Sequence, residues 1–206
     1  RRSSGVSSVF WKVGGESFES SNNRFSSSNS TSRLSSDLFT LDPGHYWIEI
    51  DTPHSFTGTI PFVLQTLDDA TDLALGTDVT LDLTPGNGTL LRRFEATAGT
   101  ELFLDFQNNP SDTVYWAVRA PDGTVIGTPQ RIRTDADLRF TAQQDGTYTL
   151  ILFGSASNSQ PEMLSLRLGP SAREPEPVTL DTRIDGTLQL PGERAIYSVD
   201  LDAPAD

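Results

Sequence analysis

Apolar and polar residues alternate along most of this chain, in short runs separated by breaks rich in Gly, Pro, Asp and Asn. The strongest run is Gly146-Thr147-Tyr148-Thr149-Leu150-Ile151-Leu152. A turn at Asp145-Gly146 opens it. The glycine admits backbone angles that other residues resist, and the β-branched and aromatic residues that follow suit a pleated strand. Similar runs cover residues 79–83, 90–96, 101–106, 113–118, 124–126, 136–141 and 163–168. Pro85-Gly86-Asn87-Gly88 and Ala120-Pro121-Asp122-Gly123 have the composition of turns between them. Roughly eight or nine short strands in about 90 residues, with no sustained helical period, is the spacing of an antiparallel sandwich. The pattern predicts an all-β fold.

The alternation also repeats at long range. Pro43-Gly44-His45-Tyr46-Trp47-Ile48-Glu49-Ile50 shares the layout of the Gly146 run, with Gly44 under Gly146 and Tyr46 under Tyr148. Val9-Phe10-Trp11-Lys12-Val13 matches Val114-Tyr115-Trp116-Ala117-Val118 at an offset of 105 residues. Downstream, Val178-Thr179-Leu180-Asp181 repeats Val79-Thr80-Leu81-Asp82 at an offset of 99. Gly186-Thr187-Leu188 repeats Gly88-Thr89-Leu90, and Ile196-Tyr197 falls where Arg93-Phe94 stands. These matches predict jelly-roll-like antiparallel β-sandwich repeats of about 100 residues, one complete unit flanked by two half-units. Residues 1–67 would be the C-terminal half of a repeat, 68–77 an acidic linker and 78–169 the complete unit. Residues 170–177 would be a Pro/Glu linker and 178–206 the N-terminal half of a further repeat. The Ser-rich stretch at 14–37 reads alone as a linker, yet it takes the place of the inter-strand region at 119–139.

A half-sandwich exposes an unpaired sheet edge and an apolar face. The two halves here are complementary. The function expected from this is a noncatalytic structural subunit of an extracellular filament or surface array, assembling head-to-tail with copies of itself. Leu188, Leu190, Ile196, Tyr197, Val199 and Leu201 of one chain would meet Val9, Trp11, Val13, Phe39, Tyr46 and Ile48 of the next. Main-chain pairing at a sheet edge would supply affinity, and alternate apolar side chains would supply register. Such a heterologous contact propagates unless rotation closes it. The alternatives are a segment of a giant tandem-repeat adhesin, or a polymer-binding appendage of a secreted protease, which would need a catalytic domain that these residues lack.

Charge and composition narrow the partners. With 28 acidic against 15 basic residues, the net charge of −13 disfavours nucleic acid and an anionic membrane surface. Lys12 is the only lysine. The absence of cysteine removes disulfides and thiolate metal sites. No apolar run approaches the roughly 18 residues that a membrane span needs. The chain starts at Arg1 and its only methionine is Met163, which reads as a processed product or a piece of a longer protein.

Little in the chain points to chemistry. His45 follows a turn glycine and His54 lies between Pro53 and Ser55; neither has a counterpart in the complete unit, and no nucleophile-elbow pattern accompanies them. Both read as solvated histidines, and no enzyme activity is expected. Asp68, Asp69, Asp72 and Asp78 cluster in the first connector and could offer oxygen ligands to calcium, although their spacing matches no EF-hand loop. A solvated acidic linker is the simpler reading. Phe10, Trp11, Tyr46, Trp47, Tyr115 and Trp116 could stack on a carbohydrate. Neighbours in a strand face opposite sides, however, so one of each pair belongs to a core and the other faces outward. Asn29-Ser30-Thr31 and Asn87-Gly88-Thr89 fit the N-glycosylation pattern.

Three stretches carry a family resemblance: Phe94-Glu95-Ala96-Thr97-Ala98-Gly99-Thr100-Glu101-Leu102, Ala120-Pro121-Asp122-Gly123-Thr124 and Gln144-Asp145-Gly146-Thr147-Tyr148. Through them the complete unit resembles the bacterial pre-peptidase C-terminal domain family. The resemblance implies a β-sandwich found beside secreted proteases and in tandem arrays on extracellular proteins. It further implies a noncatalytic module outside the cell that binds polymers, aids secretion or builds arrays. Some members bind calcium, but no matching ligand set stands in this sequence.

Overall fold

The computed structural model describes residues 10–16, 23–24, 39–51, 63–108, 110–111, 113–134, 137–155, 158–171, 175–188 and 192–201. The chain is all-β. Its strands are β1 (Phe10–Gly15), β2 (Asn23–Arg24), β3 (Tyr46–Asp51), β4 (Thr71–Asp72), β5 (Asp78–Leu83), β6 (Thr89–Ala96) and β7 (Glu101–Phe106). There follow β8 (Val114–Arg119), β9 (Val125–Arg131), β10 (Leu138–Thr141), β11 (Gly146–Gly154), β12 (Glu162–Pro170), β13 (Glu176–Pro177) and β14 (Tyr197–Ser198).

Two of the sheets face each other as a sandwich. One has four strands in the order β10-β7-β12-β5, and the other has five in the order β4-β6-β11-β8-β9. Their strands pair antiparallel except for β4, which runs parallel to β6. Period-two alternation turns Leu81, Leu102, Leu104, Phe106, Leu164 and Leu166 of the first sheet toward Phe94, Trp116, Val118, Tyr148, Leu150 and Leu152 of the second. Phe94 and Tyr148 stack with centroids 5.6 Å apart, and Trp116 tilts against Phe106 at 5.7 Å.

Close backbone approach explains two glycines. Gly146 has φ +133° at the mouth of β11, where Pro121 packs against it. A Cβ on Gly154 would lie 1.6 Å from the carbonyl oxygen of Gly86, so only hydrogen fits where β11 passes the Pro85 turn.

The five-stranded sheet is covered on both faces. Leu91, Tyr115, Ala117, Ile151 and Phe153 point away from the sandwich core, yet each is buried in a second cluster with Ala70, and Leu67 and Val125 pack against it. Tyr115 is thus the outward member of its pair, as alternation requires, but it does not face solvent. This is why β8 reads as an unbroken apolar run.

The structure also departs from the sequence-based boundaries. Residues 68–77 are not a free linker. Leu67–Asp69 forms a 3-10 turn, β4 pairs with β6, and Leu73 enters the sandwich core, with its N–H donating to the Arg93 carbonyl at 2.7 Å. Gly76 then donates to Leu168 on the opposite sheet, also at 2.7 Å. The stretch therefore closes the sandwich edge from one sheet to the other, because Ala70, Leu73 and Leu75 supply apolar contacts among the aspartates.

The N-terminal strands form a separate three-stranded sheet in the order β2-β1-β3. Its register mirrors the sandwich. Trp11 lies opposite Ile50 and Val13 opposite Ile48, just as Trp116 lies opposite Leu152 and Val118 opposite Leu150. A second parallel is local. The Tyr46 hydroxyl donates to the Asp42 carbonyl at 2.8 Å, and the Tyr148 hydroxyl donates to the Gln144 carbonyl at 3.0 Å, each four residues back. The β1–β3 pair thus reproduces the β8–β11 pair in both strand register and corner hydrogen bond.

Candidate assembly interface

The residues singled out at the N-terminal end gather on one face. Because Trp11, Val13, Tyr46, Ile48 and Ile50 occupy alternating, paired positions in β1 and β3, their side chains share one side of the small sheet. Phe39 joins them, edge-on to Trp11 at 6.0 Å. Val13 is buried, while Trp11, Phe39, Tyr46 and Ile48 are half-buried. The other face mixes charge with aromatic rings: Lys12 bridges Glu49 at 3.2 Å and sits 5.3 Å from the Trp47 ring centre, and that ring lies over Gly14. Val9 and Leu190 lie outside the described residues.

The C-terminal residues remain open. In the sandwich Leu81 is 8% exposed and Phe94 3%, but Leu180 and Tyr197, which the sequence matches align with them, are 59% and 37% exposed. Leu188, Val199 and Leu201 are exposed as well, and Ile196 is half-buried. The only ladder described for this tail is short. β14 runs parallel to β13, with Glu176 N–H donating to the Ile196 carbonyl at 2.9 Å and Val178 N–H donating to the Ser198 carbonyl at 2.8 Å.

A polar clasp fixes the base of the tail to the sandwich. Arg194 donates from its backbone N–H to the Ser171 carbonyl at 2.6 Å and from Nη1 to Glu101 Oε2 at 2.7 Å. The Ser171 hydroxyl donates to the other Glu101 oxygen, and Arg139 donates to the Gly192 carbonyl at 2.6 Å. The Ser171 hydroxyl and then the Arg194 guanidinium hold the Glu101 carboxyl below the usual carboxylate range. With its folded pKa depressed, Glu101 contributes its full stabilisation above the ordinary carboxylate pKa and loses it as pH falls through the lowered value. Hydrogen-exchange protection factors at 192–198 should therefore fall on acidification through that window, and Glu101→Gln should flatten the response. An unchanged pH profile in that variant would remove Glu101 as the cause.

The four aspartates proposed as calcium ligands are not brought together. Asp69 caps Thr66, accepting from its backbone N–H at 2.8 Å. Asp72 accepts from Arg93 Nε at 2.6 Å, while Asp78 accepts from Gln107 at 2.7 Å and lies 3.7 Å from Arg167. Asp68 is exposed. Among the described residues, no three His, Asp or Glu side chains converge as a metal site. His45 is exposed, and His54 lies outside the described residues.

Sequence reasoning did not anticipate an open pocket of about 560 Å³ on the outer face of the five-stranded sheet, lined by Asp72, Arg93, Glu95, Arg119, Thr147 and Thr149 among others. Its charges are partly spent internally, since Arg93 pairs with Asp72 and the Thr147 hydroxyl donates to Glu95 at 2.6 Å. The polar residues at alternate positions of β6 and β11 are the only sequence signal for it.

No family model matches the chain, and no curated protein matches it. Among solved structures, the chain is similar to the pre-peptidase C-terminal domain of a collagenase from Bacillus anthracis, at 16% identity and a TM-score of 0.42, covering 48% of this chain and 94% of that one. It is similar to PliG of Aeromonas hydrophila, a periplasmic inhibitor of g-type lysozyme, at 18% identity and a TM-score of 0.39, with coverage of 48% and 94%. PliG of Salmonella Typhimurium matches at 11% identity and a TM-score of 0.36, with coverage of 48% and 96%. These likenesses concern the fold alone: they are all-β domains, and each spans about half of this chain.

Proposed function

We propose that this chain is a noncatalytic, extracellular structural subunit that joins head-to-tail with copies of itself, residues 178–206 of one chain completing the half-sandwich begun by 1–67 of the next. The observation that carries this reading is the mismatch in burial between equivalent positions. Leu81 and Phe94 are sealed in the sandwich, whereas Leu180 and Tyr197 face solvent together with Leu188, Val199 and Leu201. A run of exposed large apolar residues at alternating positions marks an interaction surface. The register shared by β1–β3 and β8–β11 supports the other half, because it sets Trp11, Val13, Tyr46 and Ile48 as an inner face opposite which no second sheet stands among the described residues. The charge of −13 suits a protein that must avoid nonspecific contacts in the extracellular space.

Sedimentation velocity and negative-stain microscopy test the reading. The full chain should form oligomers or filaments whose size grows with concentration, and a chain ending at residue 177 should sediment as a monomer. Oligomers that persist without 178–206, or a full chain that stays monomeric at every concentration, would overturn it. In a longer tandem-repeat protein the same two surfaces would be satisfied by neighbouring repeats of one polypeptide. Such a protein would carry further units contiguous with Arg1 or Asp206.

A further inference from the structure

We infer that the free edge of β3 receives the strand at 194–200 of a second copy, antiparallel and in one register, with Tyr197 opposite Tyr46. This rests on the head-to-tail reading and adds to it the edge, the strand and the alignment. The template is the sandwich itself. There β11 lies between β8 and β6, with Tyr148 opposite Phe94. In the small sheet β3 has β1 on one side, in the register of β8 on β11, and among the described residues it is the edge strand on the other. Tyr46 stands for Tyr148 and Tyr197 for Phe94, so the open edge of β3 is the place that β6 fills in the complete unit.

The backbone groups on both partners fit this arrangement. Successive residues of a strand direct their N–H and C=O to opposite edges. In β11, Gly154 donates toward Gly88 on the β6 side at 3.0 Å, whereas Ser155 donates toward Thr113 on the β8 side at 2.7 Å. The backbone groups of Tyr148 therefore serve β6, and by the shared register those of Tyr46 point away from β1. In the tail, the carbonyls of Ile196 and Ser198 are used by β13. Those of Ala195, Tyr197 and Val199 lie on the opposite, open edge. The pairing seen within one chain thus leaves free the edge that the second copy needs.

Side chains agree with the same register. It sets Ile48 against Ala195, Tyr46 against Tyr197 and Gly44 against Val199 on the inner face. On the outer face, Trp47 meets Ile196. A slip of one residue would turn Tyr197 and Val199 outward and bring Ser198 and Asp200 inward. His45 would face Ser198, as Thr147 faces Glu95 in the sandwich, where the two side chains are hydrogen-bonded at 2.6 Å.

The chain has no cysteine, so directed crosslinking reads the register without background. The experiment mixes two full-length single variants, His45→Cys and Ser198→Cys, both at exposed positions, under mild oxidation. An intrachain disulfide is impossible in either. In the inferred register the Cα atoms fall within the ~4.4–6.8 Å that a disulfide spans. Mixing Glu49→Cys with Ser198→Cys displaces one partner by four residues, about 13 Å along the strand, which is out of reach. Most of the first mixture should run as a disulfide-linked dimer and the second should not. Linkage in the displaced mixture, or none in either while sedimentation still shows assembly, would overturn the register and leave the head-to-tail reading standing. Mixtures that neither link nor assemble, with unaltered melting of each variant, would overturn both.

Discussion

A chain carrying Tyr197→Asp and Val199→Asp together is expected to stay monomeric at concentrations where the unaltered chain assembles, while its sandwich melts at the same temperature. Both side chains are exposed in the single chain, and substitutions at such positions usually change stability by no more than about 0.5 kcal/mol. In the assembled state they would take the places of Phe94 and Ala96 on the inner face of a sheet. A carboxylate there has no cationic partner, and burying it costs several kcal/mol even after relaxation. Each 1.4 kcal/mol is about tenfold in affinity, so two such groups should weaken association by well over a thousandfold. Sedimentation velocity reads the association, and scanning calorimetry reads the fold. A double variant that assembles like its parent would show that the tail is not the donor.

The second large effect lies in the core. Trp116→Ala should destabilise the sandwich by about 3–5 kcal/mol, the usual range for removing a large buried aromatic. Trp116 is 1% exposed, packs against Phe106 and sits in the middle of β8 between β11 and β9. Against a total stability of roughly 5–15 kcal/mol, this is a substantial part of the whole. Trp116→Phe should cost much less. It keeps an aromatic ring against Phe106 and deletes an indole N–H that meets no acceptor among the described residues. Leaving such a donor unsatisfied carries a desolvation penalty of about 1–3 kcal/mol, which the Phe variant relieves. Urea unfolding followed by circular dichroism separates the cases. Equal midpoints for the two variants would mean that ring volume is not what matters at this site.

Much of the sandwich was legible in the residues because its signals are local. The Asp145-Gly146 turn and the alternation from Tyr148 to Leu152 specify β11, and Trp11 and Val13 pair with Ile50 and Ile48 as Trp116 and Val118 pair with Leu152 and Leu150. Two features were hidden for physical reasons. In the strap at 67–77, three aspartates stand among the apolar residues that anchor it, so composition reads as linker while Ala70 and Leu73 are buried. In β8, both faces are covered, so the run Val114-Tyr115-Trp116-Ala117-Val118 carries no alternation to show which side is the sandwich interior. The candidate interface was half legible. The apolar positions could be read from the repeat, but the parallel β13–β14 pairing could not. A two-residue ladder involving Glu176 and Pro177 has no periodic signature, and its partner lies twenty-one residues away.

One feature of the complete sandwich bears on how it behaves in a crowd. Three of its four edge strands are poor templates for a stranger. β5 turns Asp78, Thr80 and Asp82 to solvent, β4 is two residues long, and β9 breaks register against β8. Charge, shortness and irregularity are the devices by which sheets discourage edge-to-edge aggregation. Insulated along its flanks, the sandwich would act, in the proposed head-to-tail assembly, as an inert spacer between two adhesive poles. Chains in dense solution would then be joined in single file rather than clotted sideways.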